Sequence, residues 1–177
     1  MQALLDSGAE VAVVDRQMPE TRIDGVRYVV GDLSDSDVRD AAVAPGTEAI
    51  VHLAAATSVL QSVQRPAPTY ADNVAVTQEL LELARVRDVG QFVLASTNAV
   101  VGNVGEATIT ERLPLRPLTP YGATKAACEM LMSGYAGAYG MTTCALRFSN
   151  VYGPGMALKD SFVPRLMRAA LDGSTVT

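Results

Sequence analysis

Five short apolar runs, set apart by stretches of helical period or by turns, constrain this chain more than any other feature. They are Glu10–Asp15, Val26–Val30, Glu48–Leu53, Gln91–Ala95 and Thr142–Phe148. Each has strand length, and most are rich in branched or aromatic side chains. Met1–Ser7 reads as the last turns of a helix. A second helix runs from an N-cap at Ser34 to about Val43, where Pro45-Gly46 stops it. Asp72–Arg87 carries Val76, Leu80, Leu81 and Ala84 on one face, with Gly90 ending it. Tyr121–Tyr139 follows Pro120 and stops at Gly140, and Phe162–Leu171 is a last amphipathic helix. Strands alternating with helices predict an α/β fold with a doubly wound, mostly parallel sheet. Near-continuous apolar runs further predict strands covered on both faces. Gly102–Pro120 is rich in glycine and proline without a period, and reads as a long active-site loop.

Composition removes several classes of function. The 177 residues are 49% hydrophobic and 19% charged, so the chain can bury a core and is not disordered. The net charge is −5 and no basic block stands out, which argues against a nucleic-acid partner. The longest apolar stretch, Ala49–Leu60, is interrupted by His52, Thr57 and Ser58 and is too short to cross a membrane. No basic segment precedes an apolar run at the N-terminus, so a secretory signal is not expected and a cytoplasmic location is. Cys128 and Cys144 lack metal-ligand spacing. They read as reduced core residues, and no metal site is expected.

Open parallel sheets bind ligands at the carboxyl ends of their strands, and several polar residues fall there. Asp15 ends the first run, where a carboxylate can accept hydrogen bonds from an adenosine ribose and repel a 2′-phosphate, or can cap a turn. Asp32 follows the second run. It can meet an adenine amino group or cap the helix behind it. Small residues close the third run after His52, the single histidine, which reads as a packing residue rather than a base. A glycine-rich phosphate turn belongs about 20 residues before such an acidic residue, and counting back from Asp15 passes Met1. The expectation is therefore that a first strand and its loop precede Met1.

Tyr121-Gly-Ala-Thr-Lys125 puts a phenol and an ammonium four residues apart, on one helical face. A free tyrosine is a poor base at neutral pH. A nearby cation favours the phenolate, so Lys125 is expected to lower the pKa of Tyr121 and make it a general acid/base. With six tyrosines and two lysines in the chain, chance supplies this spacing about 0.07 times. An exposed helix pair is the plainer alternative. Thr97 follows the fourth run, placed to relay a proton from a substrate hydroxyl or to cap a turn, and Asn150 follows the fifth.

From Leu4 to about Val176 the chain resembles the extended short-chain dehydrogenase/reductase superfamily, in its NAD-dependent nucleotide-sugar epimerase/dehydratase branch. Pro120-Tyr-Gly-Ala-Thr-Lys-Ala-Ala-Cys-Glu129 and Leu146-Arg-Phe-Ser-Asn-Val-Tyr-Gly-Pro-Gly155 carry the resemblance, supported by Val51-His-Leu-Ala-Ala55 and Asn73-Val-Ala-Val-Thr77. It implies a Rossmann-like fold, NAD as cofactor and a Thr97, Tyr121 and Lys125 centre, with Lys125 also on the nicotinamide ribose. It implies Asp15 on the adenosine ribose, Asp32 with Leu33 at the adenine, and Leu53, Ala54 and Ala55 along the cofactor. Asn73 would support the catalytic helix, Phe148 would lie near the nicotinamide, and Thr97 and Asn150 would touch the nucleotide-sugar. The implied reaction is epimerisation through a transient keto-sugar. Dehydratases of the branch carry two acidic residues after the catalytic hydroxyl. Here Asn98 and Ala99 stand there, and Val101 replaces a frequent tyrosine. The resemblance also implies that residues 1–177 form a partial NAD-binding domain, without the first strand, the glycine-rich loop and a C-terminal substrate domain. Such a piece would bind NAD weakly or not at all. A reductase or dehydrogenase of the same superfamily, or an inactive fragment acting as a binding module, are the alternatives. A homodimer through the helices at 72–87 and 121–139 is expected.

Overall fold

A computed structural model describes residues 1–153 and 162–175. They fall into two units, Met1–Arg147 and Phe148–Thr177. The first opens with helix α1 (Gln2–Asp6) and two strands, β1 (Val11–Asp15) and β2 (Val26–Val30). These pair in parallel, with Val11 opposite Val26 and Asp15 opposite Val30. Helix α2 (Ser36–Ala42) leads to β3 (Ala49–His52). Strand β3 is parallel to β4 (Gln91–Thr97), with Ala49 opposite Gln91 and His52 opposite Leu94. Strand β5 (Thr142–Phe148) lies on the other side of β4, and its first N–H donates to the Gly90 carbonyl at 3.0 Å. The strands thus form two sheets, β1-β2 and β3-β4-β5.

Between β3 and β4 the sequence predicts one helix, and the structure has three plus an irregular turn. Helix α3 (Val59–Gln64) starts on Ser58, whose hydroxyl accepts from the Gln61 N–H. Helix α4 (Pro66–Tyr70) has proline in its first turn, where the missing N–H is harmless. A π-helical turn, Ala71–Ala75, joins it to α5 (Val76–Val86). Helix α5 ends on Asp88, which takes the left-handed conformation at φ 57°, while the Val89 N–H reaches back to the Ala84 carbonyl. Asp88, not Gly90, makes that turn. Likewise the N-cap of α2 is Asp35, which accepts from the Asp37 N–H, and not Ser34, whose own N–H is taken by Asp32. The C-terminal carbonyls of α2 are capped from a distance by Arg27, on Ala41 and Ala42, and by Arg87, on Val43.

Helix α6 (Pro120–Tyr139) follows a tight 3-10 turn at Asn98–Val101 and the 102–119 loop. It begins on Thr119 and Pro120 and ends on Gly140 at φ 70°, as its proline and glycine predict. The core lies where α5 and α6 cover one face of β3 and β4. Leu80, Leu81, Ala84, Phe92, Leu94, Cys128 and Met132 are all buried there. The opposite face is open: Val51 is 53% exposed, and Ala49 and Leu53 are exposed beside it. At β3, coverage on both faces is therefore not what the structure shows among the described residues, while the alternate residues of β4 after Gln91 are half-buried. The same alternation along β5 puts Cys144 on the exposed face, so of the two cysteines only Cys128 is a core residue. In the second unit, α7 (Phe162–Asp172) is closed by Gly173 at φ 67°. Among the described residues no helix is long and apolar enough to cross a membrane, and no group of metal-ligating side chains is present.

Candidate active site

Thr97 ends β4, and Tyr121 and Lys125 occupy the first turns of α6. Gly122 lets these elements meet. A Cβ at this position would lie 2.8 Å from the Ala99 carbonyl oxygen and 3.1 Å from Pro117, so no larger residue seats the helix on the Asn98–Val101 turn without displacement. The helix start is also held by α3, since the Tyr121 N–H donates to Ser62 Oγ at 3.1 Å. Thr97 Oγ1 accepts from the Ala99 N–H at 3.2 Å.

Burial sets the electrostatics. The Tyr121 phenol is half-buried, which raises its pKa above the ordinary value, while the neighbouring Thr97 hydroxyl works in the lowering direction. The expected lowering by Lys125 is absent. Lys125 is itself only 2% exposed, and desolvation pushes its own pKa down. Desolvation of the phenol is the larger effect on Tyr121, and the one opposing group is Thr97. Lys125 makes no hydrogen bond or ion pair among the described residues. A lysine set this deeply, with its Nζ unpartnered among the described residues, suits hydroxyl ligands brought by a cofactor.

Asn73, in the π-helical turn, is 1% exposed and joins three segments. Its Oδ1 accepts from the Ala56 N–H at 2.7 Å, and its Nδ2 donates to the Ala56 carbonyl at 3.1 Å and to Thr124 Oγ1 at 3.0 Å. Its amide is engaged by protein, so any effect on a cofactor passes through the Ala54–Ala56 backbone and α6. π-Helical turns recur at functional sites because the extra residue re-aims side chains in this way. His52, beside Lys125 in charge terms, packs edge-on against Phe92 with ring centroids 6.2 Å apart. Its buried Nε2 has no partner among the described residues.

A second polar group forms at the ends of β1 and β2. Asp32 accepts from the Ser34 N–H at 2.8 Å and pairs with Arg16 Nε at 2.8 Å; these contacts, Ser34 first, hold its carboxyl below the ordinary value. Arg16 also reaches Asp72 at 3.2 Å, which ties the end of β1 to the π-helical turn. Asp15 is exposed and accepts from the Gln17 N–H at 2.9 Å. Leu33 is a core residue whose carbonyl accepts from Arg39. Leu53 and Ala54 are exposed after β3, and Ala55 is half-buried. Phe148 and Asn150 belong to the second unit and are exposed; Pro154 and Gly155 of the same motif lie outside the described residues. Two cavities, of about 190 and 480 Å³, lie elsewhere. One is lined by α2 and α5 residues such as Arg39 and Glu79, the other by Gly46–Glu48 and Arg87–Gln91 at the amino ends of β3 and β4.

Sequence reasoning missed Ser62, the Arg16–Asp72 pair and the partners of Glu129. Only Glu129 left a local signal, one turn past Lys125 in the same motif.

A parallel α/β core that gathers a Thr, a Tyr and a Lys at a strand's carboxyl end defines a Rossmann-like protein. The chain belongs to the NAD-dependent epimerase/dehydratase family, whose model matches residues 1–177. It is 34% identical over 179 residues to a dTDP-glucose 4,6-dehydratase of Streptomyces niveus, covering 96% of this chain and 53% of that one. It is also 34% identical to a UDP-glucose 4-epimerase of Corynebacterium glutamicum, over 85% of this chain and 46% of that protein. The Thermus thermophilus UDP-glucose 4-epimerase solved in complex with NAD superposes with a TM-score of 0.88 at 34% identity, over 99% of this chain and 59% of that chain. The chain thus spans about half the length of the curated relatives it matches.

Proposed function

We propose that this chain carries the catalytic centre of an NAD-dependent nucleotide-sugar epimerase, with UDP-glucose 4-epimerisation as the reaction to test first. The observation that carries this is the meeting of Thr97, Tyr121 and the unpaired, buried Lys125 at the end of β4, followed by Asn98 and Ala99 rather than acidic residues. Expulsion of water from a sugar needs a proton donor and a base beyond the tyrosine, and neither Asn98 nor Ala99 can serve.

When bound, NAD supplies a reversible hydride acceptor. Tyr121 removes the proton from the sugar hydroxyl and returns it after the sugar has presented its other face. Thr97 holds that hydroxyl. Lys125 would bind the nicotinamide ribose, and the cationic ring held nearby would bring down a phenol pKa that burial holds high. Asp15 takes the adenosine ribose, and Asp32 with the Leu33 backbone takes the adenine. Leu53, Ala54 and Ala55 flank the cofactor. Phe148 lies by the nicotinamide, and Asn150 contacts the nucleotide-sugar. Arg16 is held by Asp32 and Asp72, which leaves it poorly placed for a 2′-phosphate and favours NAD over NADP. Pairing of two copies through the 72–87 and 121–139 helices completes the proposal.

The test is interconversion of UDP-glucose and UDP-galactose by the protein as encoded by its gene. Tyr121→Phe is expected to lower kcat by about 10²-fold or more, and Tyr121→Phe with Lys125→Ala to abolish turnover. Full activity in the double variant refutes the proposal. So does steady nicotinamide reduction, the mark of a dehydrogenase, or formation of a 4-keto-6-deoxy product, the mark of a dehydratase.

A further inference from the structure

Glu129 lies one helical turn beyond Lys125 and two beyond Tyr121, on the same face of α6. Its side chain is only 8% exposed, yet it is fully partnered. Arg147 of β5 donates to it in a fork, from Nε at 3.1 Å and 3.2 Å and from Nη2 at 2.8 Å. Ser96 of β4 donates a short hydrogen bond to its Oε1. Arg147 Nη1 reaches on to the Glu111 carbonyl at 3.4 Å, within the 102–119 loop. One carboxylate therefore ties α6 to β4, to β5 and to the loop.

The place of Ser96 gives this knot a consequence. It directly precedes Thr97 on β4 and donates to Glu129 of α6, so one strand end meets the helix at both residues. Against β4 and the turn that follows it, helix α6 is seated by Gly122 on Ala99 and by Glu129 on Ser96, with Arg147 behind. The seven-residue step from Gly122 to Glu129 spans about 10 Å of helix axis, and Lys125 stands between the two. A buried ion pair adds little net stability over an apolar packing of the same volume, but a bidentate guanidinium fork fixes orientation. We propose that Glu129 is a positioning residue that, through Ser96 and Arg147, sets the axial and rotational seat of α6 and thereby the separation of the Tyr121 phenol from the Thr97 hydroxyl. This role rests on the catalytic reading of Thr97 and Tyr121 given above.

The test compares Ser96→Ala, Glu129→Gln and Tyr121→Phe in the protein as encoded by its gene. Steady-state kinetics are measured across pH, and the ionisation of Tyr121 is followed separately by the carbon-13 signal of its ring in the absence of substrate. A displaced helix loses the Thr97 contact that favours the phenolate. The expected result is a kcat reduced about tenfold or more, a KM unchanged within about twofold, and a Tyr121 titration moved to higher pH. Thermal melting that falls in both variants while kcat and the Tyr121 titration stay at the wild-type values overturns the inference. If Glu129→Gln fails to fold, Ser96→Ala, which leaves the ion pair in place, decides by the same criteria. Retained activity in Tyr121→Phe defeats the catalytic reading instead, and the ring-carbon titration still reports whether Glu129 seats the helix.

Discussion

Acid should destabilise this protein through His52. The imidazole is 3% exposed, its Nε2 has no partner among the described residues, and Lys125 adds a positive charge to its surroundings. Burial, and then Lys125, push its pKa down from 6.5 to about 4. Between those values the unfolded chain binds the proton and the folded chain does not, so stability falls as pH falls. The stabilisation is intact above pH 7 and is lost on the way down to pH 4. By linkage the loss is about 1 kcal/mol at pH 5.5, about 2–3 kcal/mol at pH 4.5, and levels off at about 3–4 kcal/mol at lower pH. His52→Leu removes the titration and keeps an apolar side chain against Phe92. Urea denaturation of both proteins, repeated from pH 7.5 to pH 4.5, isolates this contribution, because the carboxylates common to both cancel in the difference. The stability of wild type relative to His52→Leu should drop by about 2–3 kcal/mol over that range. A difference that stays flat within about 0.5 kcal/mol would refute the reasoning, since the imidazole would then be solvated or partnered in both protonation states.

Two further outcomes follow from the polar contacts. Asn73→Ala strands the Ala56 N–H and removes a partner of Thr124, and should cost about 2–3 kcal/mol in denaturant unfolding; a loss below about 0.5 kcal/mol contradicts the bridging role. Asp72→Ala releases one of the two carboxylates on Arg16. In fluorescence titrations of the protein as encoded by its gene, it should raise affinity for NADPH relative to NADH by about two- to fivefold, and an unchanged ratio contradicts the view that Asp72 restrains Arg16.

Much of the fold was legible because it is written in short-range patterns. The runs that became β1 to β5 were visible as apolar segments between turns, and α6 was bounded by Pro120 and Gly140. Helices α3 and α4 were not visible. Each is only five or six residues long, too short to display a period, and they depend on Ser58, Pro66 and contacts with α6. The N-cap of α2 and the turn after α5 shifted by one or two residues, since Ser34 and Asp35, or Asp88 and Gly90, are locally near-equivalent and packing chooses between them.

The candidate site divides in the same way. Tyr121 and Lys125 sit four residues apart, so any helix puts them on one face, and the sequence alone determined that pairing. It also placed Asp15 at the end of β1, Asp32 just after β2, and Thr97 just after a run that the structure extends to include it. The tertiary structure decided which side chains they meet. Arg16 finds Asp72 across 56 residues, Asn73 finds Thr124 across 51, and Ser96 finds Glu129 across 33. It also decided the direction of the Tyr121 shift. A nearby cation and a buried phenol act in opposite senses, and only the packing around the ring says which is larger. Periodicity and caps are properties of neighbours along the chain. Desolvation and long-range partners are properties of neighbours in space, and a sequence read residue by residue does not contain them.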